Sequence, residues 1–454
     1  MKAHKQWSYH PYKPLFFNSG DIYVCRVAPK ERSISFDWLP LFEGAEYTVF
    51  LRKKGEVDFK KILETKACTS IIDNLEKDYD YEFFVSCGDN KSRVRLARCG
   101  DSFGNIVNYL HPDDETYSFS GRYLCSPSLV RHPEGFLLAS MDLFADSPQN
   151  LTLIYRSDDD GKTWKYVCEL FPAFWTKLFI HKGELYALAA STEYGDLLIG
   201  KSTDGGYTFC EPTVLLRGSN GKKGNAGIHK NPQPVVEFNG RLWNTFEWGS
   251  WGLGYHAMSV MSVSKDADLL DADNWLFTNQ VNYDKSWDKI SNIEASGTIE
   301  GCLVPIDGTL YSIYRTMCAY PIFGKMLRML VDTKNPEKQL VFKDFIDLPV
   351  SYSKFSIKYD EKRKKYYTLA TPTKIKETEV CRNSLALLSS VDCIHWTVER
   401  YIIDNRHEDP KYFGFQYVDY LIEDDKILFL CRTAMNGANN YHDCNYSIFD
   451  MIKL

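Results

Sequence analysis

Acidic, basic, imidazole and aromatic side chains recur beside the strand-like runs of the last 350 or so residues. Arg122 and Asp142 flank the first such pair of runs, and Trp175 and Lys177 open the second, with Glu193 and Tyr194 closing it. His229 and Gln233 precede a run that ends at Glu247 and Trp248. Glu300 and Arg315 bracket the next, Tyr352 and Lys354 come after, and Gln416, Tyr417, Asp419 and Arg432 mark the last, followed by the adjacent pair His442 and Asp443. Gathered at one place, these types suit a sugar. Rings stack on its apolar face, carboxylates take its hydroxyls, and cations hold an acidic substituent. His442 beside Asp443 could orient a general acid or base, and a turn held by local hydrogen bonds would use the same two residues. A wet channel lined by solvated side chains would also present such groups.

What could gather them is a repeat. Ser157-Asp-Asp-Asp-Gly-Lys-Thr-Trp164 fits the pattern S-x-D-x-G-x-T-W, and Ser202-Thr-Asp-Gly-Gly-Tyr-Thr-Phe209 fits it again with Phe for Trp. Ser390 to Trp396 is a shortened copy and Ser264 to Trp275 a stretched one. In such a turn Asp and Ser/Thr side chains satisfy backbone amides, Gly takes φ > 0, and the ring plugs between sheets. Four strand-like runs per period predict an all-β, six-bladed β-propeller over 101–454. Its blades run over Ser126–Leu170, Phe174–Leu216, Pro232–Tyr283, Gly297–Leu348 and Tyr352–Ile403, and the last begins at Gly414. The last blade supplies three strands, and Ile106–Leu110 is expected to fill the fourth place and close the ring. The turns join strands three and four. The start of strand one and the end of strand two then share the opposite face, where the candidate residues fall. Residues 1–100 read as a small β-sandwich: short alternating runs lie between Asp21 and Ala97, with Trp38 in a buried register. Tyr81, six residues after Leu75, is placed to return its hydroxyl to upstream backbone. The short linker Gly100 to Gly104 favours packing against the propeller, and an uncovered sandwich edge would allow a homo-oligomer.

The repeated turns resemble Asp-boxes, the first hundred residues resemble a fibronectin type III domain, and the propeller resembles the sialidase superfamily. Glu300-Gly-Cys-Leu-Val-Pro-Ile-Asp-Gly-Thr-Leu310 ending in Arg315 is similar to that family's Glu…LPDG…Arg run, and Tyr352-Ser-Lys-Phe355 to the segment bearing its tyrosine. The resemblance implies a Tyr352 nucleophile, Glu300 taking its proton, Asp142 as acid/base, and Arg315 and Arg432 holding carboxylate. The place of that family's first arginine holds Cys125 or Ser126, so a third anion-binding arginine is missing unless Arg122 substitutes. The leading expectation is an exo-acting glycoside hydrolase on a small, possibly acidic oligosaccharide. A lyase acting on a uronic-acid-linked sugar would draw on Arg315, Lys354, His229, His442 and Tyr417. A non-catalytic carbohydrate-binding propeller is the third reading. In each, Lys177, Trp175, Glu247, Gln233, Tyr417, Asp419 and Asp443 are candidates for sugar contacts.

Composition narrows the partners. With 44% hydrophobic residues, 25% charged and a net charge of −6, the chain is globular and lacks the basic footprint of a nucleic-acid or membrane binder. The first residues, MKAHKQWSYHPYKPLFF, lack the apolar core of a secretion signal, and no run of 18 apolar residues occurs. Thirteen cysteines without CxxC pairs read as reduced thiols of a cytoplasmic protein. The ten histidines show no HxH or HExxH spacing, so no metal and no cofactor is expected.

Overall fold

Each Ser-x-Asp turn is closed by its own side chains. The Ser157 hydroxyl accepts from Gly161 N at 2.8 Å, and Asp159 accepts from Thr163 N at 2.9 Å and Thr163 Oγ1 at 2.6 Å. Ser202, Asp204 and Thr208 repeat the pattern, with Gly206 N on Ser202 at 2.9 Å and Thr208 N on Asp204 at 2.9 Å. In the shortened copy, Asp392 takes the amides of Ile394 at 2.9 Å and His395 at 2.8 Å. Backbone donors that a tight hairpin would leave unpaired are thus satisfied locally. The rings that follow, Trp164 and Phe209, are buried. Trp164 Nε1 donates to Gly161 O at 3.0 Å, so the indole is pinned as well as packed.

These turns join the third and fourth strands of antiparallel sheets. The computed structural model describes residues 21–144, 148–318, 324–373 and 381–454, so the reading of the N-terminal residues as signal-free lies outside the described residues. Within them, six sheets follow one another along the chain. The first is Tyr123–Arg131, Leu137–Phe144, Thr152–Ser157 and Lys165–Leu170. The second is Phe174–His181, Glu184–Ala190, Leu197–Ser202 and Thr213–Leu216. The third pairs Gly227–His229 and Val236–Phe238 with Arg241–Ser250, then adds Tyr255–Ser264 and Trp275–Phe277. The fourth is Ala295–Ile306, Thr309–Cys318, Lys325–Leu330 and Val341–Asp347, and the fifth is Lys358–Asp360, Lys365–Ala370, Ser384–Ser390 and Thr397–Asp404. The sixth is Gly414–Glu423, Lys426–Ala434 and Tyr446–Lys453, with Asn105–Tyr109 as its fourth strand.

Apolar side chains fill the space between consecutive sheets. Leu138, Leu178 and Leu198 pack the first on the second, and Leu188, Phe246 and Met261 the second on the third. Trp243, Leu303 and Leu327 join third to fourth, Val304, Ile313 and Leu388 fourth to fifth, and Leu387, Tyr420 and Phe429 fifth to sixth. Leu129, Leu153, Leu430 and Phe449 then pack the sixth back on the first. The ring is closed, and its sheets shield one another's edges.

Two first strands differ from the sequence expectation. The third sheet's first strand is interrupted between His229 and Val236, where Pro232 and Pro234 remove backbone donors. The fifth sheet starts only at Lys358, because 351–357 is irregular and joined by short local bonds such as Ser353 N to Ser351 O at 2.7 Å. Ahead of the ring lie a three-stranded sheet (Val24–Pro29, Ile34–Trp38, Thr69–Ile72) and a five-stranded sheet built on Tyr47–Lys53 and Asp80–Cys87. Trp38 is buried between them, and the Tyr81 hydroxyl accepts from Glu76 N at 2.8 Å. Their core continues into Tyr109, Tyr446 and Ile448 of the sixth sheet, and buried Arg95 reaches Asp114 at 2.7 Å. This part packs on the ring without a free tether.

Gly135 and Gly161 both sit in the left-handed region, at φ +98° and +83°, but only Gly161 is crowded: an added Cβ would lie 2.0 Å from the Phe449 ring. Gly135→Ala should cost the backbone strain alone, about 1–2 kcal/mol. Gly161→Ala should cost about 1–3 kcal/mol more through displacement of Phe449. Thermal melts should rank wild type above G135A and G135A above G161A; equal melting points for the two variants would show that the turn does not seat on Phe449.

Candidate functional site

The first strands of four sheets share one irregularity. Pairing slips between Cys125 and Ser128, Phe174 and Lys177, Ile299 and Cys302, and Gln416 and Asp419. In each bulge the residue after the slip begins has positive φ: Ser126 +47°, Trp175 +54°, Glu300 +61° and Tyr417 +56°. Ser, Trp, Glu and Tyr do not favour this region. Bulges re-aim side chains, and here all four residues line one cavity of about 150 Å³ at the face opposite the Ser-x-Asp turns. The residue before each bulge pairs across to the second strand at Asp142, Ala190, Arg315 and Arg432. The repeated register thereby sets Arg315 next to Glu300, and Arg432 next to Tyr417.

At the centre, the Tyr417 hydroxyl donates to Glu300 Oε1 at 2.6 Å. Arg315 Nη2 lies 3.3 Å from Glu300 Oε2. Three guanidinium groups surround the phenol. Arg432 stands 4.8 Å and Arg382 5.9 Å from the centre of the Tyr417 ring, and the Tyr417 hydroxyl borders Arg315. Arg315 also covers the ring of Tyr352 at 4.4 Å, while Arg382 donates to the Tyr352 carbonyl and to Gln416. Nε and Nη1 of Arg315, Nε of Arg382 and Nε of Arg432 are buried and have no hydrogen-bond partner among the described residues. Burial works to raise the Glu300 carboxyl, but Arg315 and the Tyr417 hydroxyl outweigh it and hold it below its usual value. Burial, with Glu300 adjacent, pushes the Tyr417 phenol up to about 12. The pair is a carboxylate accepting from a protonated phenol.

The opposite wall is aromatic. His229 Nδ1 and Glu247 share a hydrogen bond of 2.9 Å, and Glu247 in turn accepts from Gly301 N, next to Glu300, at 2.9 Å. Trp175 lies 4.4 Å from the His229 ring. His442 contacts Asp443 at 3.0 Å, and its carbonyl accepts from Arg432 at 2.5 Å. Burial and Arg432 push its imidazole down to about 4. Off the cavity lining, buried Lys177 pairs with Asp419, which also has Lys358 at 3.4 Å. Burial brings Lys177 down to about 8 and Lys230 to about 7, while Lys354 Nζ has no hydrogen-bond partner among the described residues.

The structure therefore brings Glu300, Arg315, Tyr417, Arg432, His229, His442 and Trp175 to one cavity. Tyr352 sits behind Arg315 and the carboxylate hydrogen bond goes to Tyr417 instead, because the bulge turns Tyr417 inward while 351–357 is irregular. Asp142 is fully buried beneath the lining, taking the Thr152 hydroxyl and Thr176 N at 3.5 Å. Arg122 does not stand in for a third arginine at the cavity; it is half-buried away from the lining and pairs with Glu115 at 2.9 Å. Gln233 is occupied with Phe355 O and Ser356, and Lys177, Lys354 and Asp419 are buried and do not line the cavity. Arg382, Phe144, Gln149 and Trp251 went unread. Arg382 stands just before the third strand of its sheet, at the end shared with the close of strand two, and that position was the available signal. Among the described residues no group of three His, Cys, Asp or Glu could hold a metal ion, and no helix is long and apolar enough to cross a membrane. All thirteen cysteines are free thiols.

No protein-family model and no curated protein matches the sequence. Solved structures do. An α-L-arabinanase from Penicillium chrysogenum is 16% identical, covers 78% of this chain and 98% of its own, and superposes with a TM-score of 0.50. The α-L-arabinofuranosidase Arb93A of Fusarium graminearum is 13% identical over 78% and 98%, also at 0.50. A leech intramolecular trans-sialidase is 11% identical over 96% of this chain and 92% of its own, again at 0.50. This chain is a β-propeller. At such identities the likeness is one of fold.

Asp142 provides a pH test of the propeller's interior. Burial pushes its carboxyl up to about 7, above its value in an unfolded chain, so the native state binds the extra proton and loses stability as pH rises from about 4 to about 7. Asp142→Asn keeps a neutral acceptor there. Relative to wild type, its melting temperature should be higher at pH 8 than at pH 5; a difference that does not change with pH would show that Asp142 is ionised throughout.

Proposed function

We propose that the protein is a sialidase-like glycosidase that removes a terminal, acid-bearing sugar from a small glycan. In this reading the ring is a six-bladed propeller over 101–454, and the two sheets before it form a fibronectin type III-like domain. The observation that carries the reading is the Tyr417–Glu300 hydrogen bond of 2.6 Å beside buried guanidinium nitrogens that lack partners. Each unpaired buried donor costs about 1–3 kcal/mol, more for a charged group. A carboxylate on the substrate would take these donors.

With the acid group held there, Tyr417 Oη attacks the anomeric carbon and its proton passes to Glu300. The C–O bond to the leaving sugar breaks, and the departing oxygen takes a proton from an acid at the cavity. A water then attacks the glycosyl–tyrosine bond; the water's proton is removed by that acid's conjugate base, and Tyr417 recovers its own from Glu300. A phenol pushed up to about 12 is a poor nucleophile without a base, and Glu300 is ionised and already in contact. Asp142 is off the cavity lining, while His229 with Glu247 and His442 with Asp443 are on it or just behind it. Those two histidine–carboxylate pairs favour a second reading, β-elimination from a uronic-acid-linked sugar, whose product would carry a new C=C bond absorbing in the ultraviolet.

Tyr417→Phe should lower kcat on an acidic glycoside at least 1,000-fold, on the order expected for loss of a nucleophile, and leave binding measurable. Tyr352→Phe should lower it less than about tenfold. Arg382→Ala should act mainly on KM. Steady-state kinetics decide, and the reverse ranking of the two tyrosines would return the nucleophile to Tyr352. Ultraviolet-absorbing product would replace hydrolysis by elimination.

A further inference from the structure

The third sheet carries a long hairpin whose strands, Arg241–Ser250 and Tyr255–Ser264, pair without interruption from Arg241↔Ser264 to Ser250↔Tyr255. Its tip is fixed through backbone. Leu253 N donates to the Ser250 hydroxyl at 3.3 Å, Trp251 N to the Tyr194 hydroxyl at 3.0 Å, and Gly252 N to Lys223 O at 2.9 Å. The last contact needs glycine, since a Cβ at Gly252 would lie 2.4 Å from Lys223 O. A backbone held this firmly presents three large side chains outward: Trp251, Leu253 and Tyr255 are 46%, 47% and 39% exposed. Trp251 lines the cavity, with its indole edge-on to His256 at 4.7 Å, so the apolar patch is continuous with the polar site.

We propose that this tip is a second subsite, where Trp251 stacks on the apolar C–H face of a sugar ring next to the one held at Tyr417. The inference rests on the glycosidase reading. The cavity, about 150 Å³, has room for little more than one ring, so a neighbouring ring of the glycan lies on the rim, and the rim offers an aromatic platform there. Carbohydrate is the occupant because the patch begins inside a cavity lined with arginine, glutamate and histidine, groups that bind an acidic sugar. The ligand class is thus an oligosaccharide with an anionic terminal sugar and at least one further ring.

The test compares wild type, Trp251→Ala and Trp251→Phe on paired probes: N-acetylneuraminic acid and glucuronic acid, each as the methyl glycoside and linked to lactose. Sugar release is followed by kinetics and binding by tryptophan fluorescence. For a sugar that wild type cleaves, the ratio of kcat/KM for the lactose-linked probe to that for the methyl glycoside should fall about tenfold in W251A, the size of one aromatic stack. W251F should restore most of it. An unchanged ratio in W251A overturns the subsite and leaves the glycosidase standing. Absence of both turnover and binding by wild type across the panel overturns both.

Discussion

The cavity depends on how the bulges of the inner strands are held. A non-glycine residue at positive φ costs roughly 1–3 kcal/mol and persists only where its surroundings over-determine it. Here carboxylates from the preceding sheet contribute. Asp142 of the first sheet takes Thr176 N in the second sheet's bulge, and Glu247 of the third takes Gly301 N in the fourth's. Asp419 of the sixth takes Leu129 N at 2.8 Å, just past the bulge of the first. An acidic side chain thus clamps backbone in the next sheet at three places around the ring. Such bonds work only if the sheets are already radial and close-packed, so the inter-sheet cores and the site geometry depend on each other.

This arrangement gives buried carboxylates different protonation states by environment. Asp142 is buried, has no adjacent arginine, and is pushed up to about 7. Glu300 is equally buried, yet Arg315 holds it low and ionised. Asp419 is held low by Lys177 and Lys358. Carboxylates therefore serve here as a near-neutral clamp, an arginine-held anion in the cavity and a lysine-paired anion. Unpaired guanidinium nitrogens in a closed ring of sheets are donors fixed before any ligand arrives. Preorganisation of that kind favours charge that develops in place, at the expense of stability in the empty protein.

The turns were legible because their chemistry is local. Ser157, Asp159, Gly161 and Trp164 lie within eight residues, and each contact among them can be read from spacing. Strand alternation was likewise enough to collect Glu300, Arg315, Tyr417 and Arg432 at one mouth. It could not show which phenol meets Glu300. A bulge adds one residue to a strand and reverses the side chain's direction. Nothing in Gln416-Tyr417-Val418 marks it. Alternation put both Tyr352 and Tyr417 at the mouth, and the sialidase resemblance gave the nucleophile's role to Tyr352; alternation also placed Asp142 in the mouth, where the structure buries it against Thr152 and Thr176. Arg382 escaped for a different reason. It stands ahead of a third strand, and its length carries the guanidinium inward from a position where a shorter side chain would stop.

Four sheets place a residue at the same bulge and another at the same cross-strand partner position, yet their contents differ: Ser126 with Asp142, Trp175 with Ala190, Glu300 with Arg315, Tyr417 with Arg432. The backbone device is repeated; the chemistry is not. Pairs on the fourth and sixth sheets carry the charge and the phenol, while the second sheet supplies a ring and a methyl group at the same places. That division gives the cavity a cationic side and an aromatic side, an asymmetry that would orient any ligand carrying both an anionic and an apolar face. A propeller that kept Asp142 and exchanged the other seven side chains would keep all three clamps, from Asp142, Glu247 and Asp419, and with them its bulges, while presenting a different surface.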